Sequence, residues 1–191
     1  MTTIASPADF KPARAPLRRW SFSTLLIAGA LLGPLPALAD NVYRLNQTLT
    51  DDRGQATKLS DWRGKPAVIA MEYSNCTFVC SITLRMLKDI RAAADRQQKN
   101  IDILVISLDP KNDTPESWTH YRNSRELEKD RWHFLTSHPD EMPKIAAALG
   151  VKYWYYHEHI VHDLRVLRVD ENGEVVKIIS TFDADLDAFL R

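Results

Sequence analysis

The chain has 191 residues with 25 basic and 25 acidic side chains, and this balance excludes the strong basic field that nucleic-acid binding uses. An apolar share of 45% is ordinary for a globular protein and is enough for one proper core. There is no internal repeat, linker or low-complexity tract, so the part that follows the leader reads as a single α/β domain.

Residues 1–39 read as an export signal. Lys11, Arg14, Arg18 and Arg19 make a basic start. Trp20 to Ala39 then carries no charge, and Leu25 to Leu35 is strongly apolar. Ala37-Leu38-Ala39 fits the small-x-small cleavage pattern and makes Asp40 the new N-terminus. Arg18-Arg19 points toward twin-arginine export, although Ser21 stands where that motif prefers Phe. The rival is an uncleaved anchor, because an uncharged run of this length can span a bilayer. Pro34 and Pro36 interrupt a continuous helix and suit a cleavage region. Export gives a mildly negative periplasmic domain, residues 40–191, in an oxidising compartment.

Along that domain, Val42 to Leu45 and Gln47 to Thr50 read as short strands, with a turn at Asp51 to Gly54. Ser60 to Pro66 is a second turn. Ala67 to Tyr73 is nearly all apolar and reads as a central strand buried on both faces. Thr77 to Lys99 is a helix with Ile82, Met86, Ile90 and Ala93 inward and Arg85, Lys88, Asp89 and Arg91 toward water. Ile101 to Ser107 is a second buried strand, which completes a βαβ unit. Thr114 caps a helix that opens at Pro115 and turns Trp118 and Tyr121 inward. Trp132 to Thr136 is a short strand. Ser137 or Asp140 caps the helix Glu141 to Leu149, which Gly150 closes. Val151 to Val161 is an aromatic and histidine-rich connection. Leu164 to Val169 and Glu174 to Ser180 are paired strands around Asp170 to Gly173, and Asp183 to Arg191 is a last helix.

Cys76 and Cys80 are the chain's two cysteines, and they stand at the join between the first central strand and its helix. Four apart on a helix, both sulfurs point to one side. Cys76 lies nearer the helix start, where the dipole lowers a thiol's pKa. Such a pair forms a disulfide or binds a metal. A purely structural staple is the bland alternative, but closing so short a loop adds little stability.

Strand, Cys-x-x-x-Cys, helix, strand, helix, hairpin and final helix make a thioredoxin-like layout with extra N-terminal strands. With the four-residue cysteine spacing and a histidine before the hairpin, the chain resembles the Sco/SenC family of copper-binding proteins. Supporting pieces are Ile106 to Pro110 with Asp113 to Glu116, Trp132 to Thr136, Leu149 to Tyr153, and His162 eleven residues before Gly173. The resemblance implies copper delivery to the dinuclear copper centre of a respiratory oxidase, with the ion on Cys76, Cys80 and His162. Three departures place the chain in a divergent branch. Thr77 and Ser81 replace the prolines that follow each cysteine, Val161 replaces the usual Asp before the histidine, and Glu72 stands where an apolar or aromatic residue is expected.

Two thiolates favour Cu(I), and imidazole accepts either Cu(I) or Cu(II). A structural zinc site would want a fourth ligand, for which His157, His159 and Glu72 are the candidates. Glu72 is otherwise either a support that orients a ligand histidine or a solvated edge residue. His159 is the rival to His162. The bland reading of His162 itself is a hydrogen-bonded histidine at a strand start, and His120, His133 and His138 read as surface or packing residues. Asp109 and Asp113 read as loop and cap residues. Tyr153 to Tyr156 is either a shield or docking surface, or alternating core and rim packing. If the pair instead serves as a thiol–disulfide reductase, Cys76 attacks an envelope client's disulfide and Cys80 resolves it. The partners are then an oxidase subunit or another copper-receiving envelope protein, or a thiol-exchange client.

Overall fold

A computed structural model describes the backbone of residues 40–75 and 80–191, with side chains at all of these but Cys80 and Ser81. The leader assigned to residues 1–39, and Cys76, lie outside the described residues.

The described chain runs through β1 (Leu49–Asp51), β2 (Ala56–Thr57), β3 (Ala67–Glu72), α1 (Cys80–Arg96), β4 (Asp102–Ser107), α2 (Pro115–Ser124) and β5 (Trp132–Ser137). It continues with α3 (Met142–Leu149), β6 (Tyr153–Tyr156), β7 (His159–His162), β8 (Val166–Val169), β9 (Val175–Ile179) and α4 (Leu186–Leu190). Seven strands form one sheet in the order β2-β1-β5-β4-β3-β8-β9. Its centre, β5-β4-β3, is parallel, and β1 and β8 flank it antiparallel. The expected α/β domain with an N-terminal β extension is therefore present, and β1 and β2 are that extension.

Every residue of β3 and of β4 is buried, which is why both strands read as continuous apolar runs. Alternation along β3 sends Ile69 and Met71 to the face covered by α3, while Val68 and Ala70 meet the apolar stripes of α1, α2 and α4. Gly173 ties the N-terminal segment to the β8–β9 turn. Its φ of 88° is left-handed, its carbonyl accepts from Val42 N, and a Cβ there would stand 2.4 Å from the Tyr43 ring.

Several expectations give way. Val42–Arg44 is a 3₁₀ turn rather than a strand, because the Asn41 side chain accepts from Tyr43 N and caps it. In α1, Ile82 is exposed, and Arg91 is buried with its guanidinium on the Ile101 carbonyl and on Asp95. The expected Met86, Ile90 and Ala93 are buried, and Leu87 and Ala94 widen their stripe. Neither Ser137 nor Asp140 caps α3. Glu141 holds the N-cap position without a side-chain hydrogen bond, and Gly150 closes the helix as expected at φ 69°. The connection Val151 to Val161 contains most of a separate two-stranded hairpin, β6–β7, with Tyr153 opposite His162 and Tyr156 opposite His159.

Candidate metal centre

The parallel strands β3 and β4 end at Glu72 and Ser107, and ligands of open α/β sheets gather beyond such ends. Here one loop residue, Asp113, ties the strand ends together. It is buried and accepts from Ser74 N at 2.9 Å and from Ser107 Oγ at 2.6 Å. Its own carbonyl accepts from Thr136 Oγ1, which in turn accepts from Trp118 Nε1. Burial raises the Asp113 pKa above the ordinary carboxyl range, against the pull of the Ser107 and Ser74 hydrogen bonds. Asp113 is thus a buried tie that fixes the turn leading into Cys76, not simply a loop residue.

Glu72 is 1% exposed, which removes the solvated-edge reading. Its carboxyl is faced by the Thr83 hydroxyl and by His162, neither of which completes a well-formed hydrogen bond to it among the described residues. Burial pushes its pKa up to about 8; the Thr83 hydroxyl opposes the rise and the Asp113 charge adds to it.

His162 faces this carboxyl from the end of β7. Its side chain is 3% exposed, and Nε2 lies 3.9 Å from Glu72 Oε2. On the other side of the ring, Nδ1 lies 3.0 Å from the Asp163 carbonyl oxygen. A carbonyl only accepts, so Nδ1 carries the proton and donates it. Nε2 is left as a bare lone pair, buried and without a hydrogen-bond partner among the described residues. Burial lowers the His162 pKa, with the Asp163 hydrogen bond and charge acting the other way. A neutral imidazole whose far N–H is held by a backbone carbonyl is the form that binds metals.

One of the hairpin's hydrogen bonds ties it to the end of β3, and two more close its base. Ile160 N donates to Tyr73 Oη at 3.4 Å. Lys152 N donates to Asp163 Oδ1, and Asp163 N donates to the Lys152 carbonyl, each at 3.0 Å. His162 is hydrogen-bonded, as its bland reading expects, but it ends β7 rather than starting a strand, and its Nε2 has no partner among the described residues.

The other candidates separate clearly. Cys80 is the first residue of α1. His157 sits at the hairpin turn with φ 54°, and both it and His159 are exposed. His133 lies 3.6 Å from Asp102, and His138 is exposed beside Asp140. His120 is exposed on α2. No group of three or more His, Cys, Asp and Glu gathers among the described residues; Glu72 and His162 are the two that meet at the strand ends. Trp154, Tyr155 and Tyr156 are 54%, 67% and 61% exposed, so core and rim packing applies to Tyr153 alone. Glu72, which the sequence offered as a further ligand, a support for a ligand histidine or a solvated edge residue, is the buried residue that faces His162. Its signal was a single acid ending an otherwise apolar strand.

A central β3–α1–β4 unit with a β8–β9 hairpin beside it makes a thioredoxin-like fold, and a buried imidazole faces a buried carboxyl at its strand ends. The SCO1/SenC family model matches residues 39–189, and the chain belongs to that family. It is 22% identical over 134 residues to the SCO1 protein homolog of Bacillus subtilis, covering 68% of this chain and 69% of the relative. The fold matches BsSco, described as having a disulfide switch and as a member of the Sco family of cytochrome c oxidase assembly proteins. The TM-score is 0.68 at 19% identity, over 80% of this chain and 93% of that one. It also matches copper-bound ScoI of Bradyrhizobium japonicum, with a TM-score of 0.63 at 22% identity over 80% of this chain and 94% of the other. No helix among the described residues is long and apolar enough to cross a membrane.

Proposed function

We propose that this protein is an exported metallochaperone that carries copper on Cys76, Cys80 and His162 and passes it to the dinuclear copper centre of a respiratory oxidase. The observation that carries this reading is the buried, unpartnered Nε2 of His162, held as a free lone pair by its Nδ1 hydrogen bond. Soft thiolates and a neutral imidazole suit copper in either oxidation state. Here copper is cargo. The cysteines grip it and the imidazole orients it, and ligand exchange with a partner's cysteines or histidines moves it on. Residues 1–39 act as the export signal, with Asp40 as the mature N-terminus in the periplasm.

The test is titration of the reduced protein with Cu(I) and with Cu(II), followed by absorption and chelator competition. One ion per chain is expected, with affinity lowered at least about tenfold in Cys76→Ser, Cys80→Ser and His162→Ala. Full affinity in His162→Ala overturns the ligand assignment.

The disulfide switch described for BsSco favours a second activity on the same cysteines. The Cys76 thiolate attacks a client disulfide and displaces one client thiolate, forming a mixed disulfide. Cys80 then attacks the Cys76 sulfur and releases the second client thiolate, so two electrons pass to the client and a Cys76–Cys80 disulfide remains. His162 is not needed for this exchange. His162→Ala should therefore retain client reduction while losing copper.

A further inference from the structure

We infer that Glu72 is a fourth donor to the ion that His162 binds, and that it makes the site favour Cu(II) over Cu(I). The inference rests on the copper reading of His162 and extends it to a residue that the family pattern does not supply.

The geometry is that of two buried donor groups facing each other. Glu72 and His162 come from different elements, the end of β3 and the end of β7. Both are more than nine-tenths buried. Glu72 Oε2 and His162 Nε2 face each other, and His162 Nε2 has no hydrogen-bond partner among the described residues. At 3.9 Å the two are too far apart to share a hydrogen bond. An imidazole lone pair and a carboxyl oxygen at this spacing can both donate to one cation, which takes the place of the carboxyl proton. Donors of a four-coordinate ion with bonds of about 2.0–2.2 Å stand roughly 3.4 Å apart, within a small side-chain adjustment of the observed spacing.

The chemistry of the donor decides the preference. A carboxylate is hard and anionic, so it contributes more to a dication than to Cu(I), which two thiolates already satisfy. The sulfurs hold copper in both states, and Glu72 adds grip mainly in the higher one. The Asp113 tie at the neighbouring strand ends holds the turn just after Glu72, so the carboxyl is presented from a fixed backbone.

The experiment uses the full chain and three proteins: wild type, Glu72→Gln and His162→Ala. Cu(II) binding is read by chelator competition and by electron paramagnetic resonance, and Cu(I) binding by anaerobic competition. Glu72→Gln keeps the shape of the side chain and removes its charge. It should weaken Cu(II) at least about tenfold, shift the Cu(II) hyperfine splitting, and change Cu(I) by less than about threefold. Glu72→Leu, which removes the oxygens altogether, should do the same or more. Thermal unfolding of each apo-protein verifies that it is folded. Equal losses for Cu(I) and Cu(II), or an unchanged Cu(II) spectrum in both variants, overturns the inference. If His162→Ala loses copper while the Glu72 variants do not, the copper reading stands and the fourth donor falls. If His162→Ala keeps copper, both fall.

Discussion

Two regions of this molecule bury an acid against a base, and they do so in opposite ways. Arg122 on α2 and Asp52 beside β1 are in direct contact, with side chains 5% and 4% exposed. Arg122 also donates to the Trp132 carbonyl at 2.9 Å, so the guanidinium ties α2 to β5 and to the β1 edge. Glu72 and His162 are as deeply buried, yet they stand 3.9 Å apart, beyond hydrogen-bond reach of each other. Arginine stays protonated and needs its carboxylate. Histidine can give up its proton and offer a lone pair instead. The comparison teaches that burial of opposite charges is no mark of function by itself. The mark is a buried pair that has not closed.

The largest effect should come from opening the closed pair. Asp52→Asn leaves the Arg122 charge buried without a counter-ion and should cost about 3–5 kcal/mol in stability. Urea unfolding measures it. A loss below about 1 kcal/mol would mean that water reaches Arg122 and that the two regions are less different than they look.

Replacing the acid of the open pair should have the opposite sign in the apo-protein. The Glu72 pKa rises from 4.5 unfolded to about 8 folded. Between those values the unfolded chain has released a proton that the folded chain keeps, so stability falls as pH rises. The contribution is fully present below the unfolded pKa and is lost by the time pH passes the folded one. His162 works the other way, because its pKa is lowered from 6.5. Its contribution is present above 6.5 and is lost as pH falls below it. Glu72→Gln removes only the first slope. The variant should therefore gain on wild type as pH rises from about 5 to about 8, by a few kcal/mol at the top of that range. Thermal unfolding of the metal-free proteins across that range checks it. Parallel curves would mean that the carboxyl is not held out of water.

Much of the fold could be read from the sequence because its core strands are extreme. Ala67 to Tyr73 and Ile101 to Ser107 have almost no polar interruption, so both became buried parallel strands. Local turns were harder. Asn41 overrides the β-prone Val42 and Tyr43 with one side-chain hydrogen bond, which no apolar pattern reveals. The phase of α1 held for Met86, Ile90 and Ala93 and failed at its two margins, where Ile82 looked like core and Arg91 like surface. The Ile101 carbonyl that holds Arg91 is contributed by a different segment. The donor site was half legible for the same reason. His162 was found through motif order, but the value of Glu72 depended on what stood opposite it. Sequence puts these two residues far apart, and only the seating of the β6–β7 hairpin at the end of β3 brings them together.

The smallest effect should come from His159, and the hairpin register explains why. Tyr153 pairs with His162 and Tyr156 with His159 across β6–β7, so both histidines belong to the same strand. They lie three apart, and side chains alternate along a strand, so they point to opposite faces. Ile160 shares the face of His162, and it is buried while His159 is exposed. The imidazole of His159 is thus turned away from Glu72 by the pleat itself, whatever its distance along the chain. His159→Ala should leave Cu(II) affinity within about twofold and the Cu(II) spectrum unchanged, because an exposed side chain away from the site has little to contribute. A tenfold loss in the same competition assay would require the hairpin to shift by one residue. That shift would also bury Val161 in place of Ile160, and so exchange the two faces on which the assignment of His162 rests.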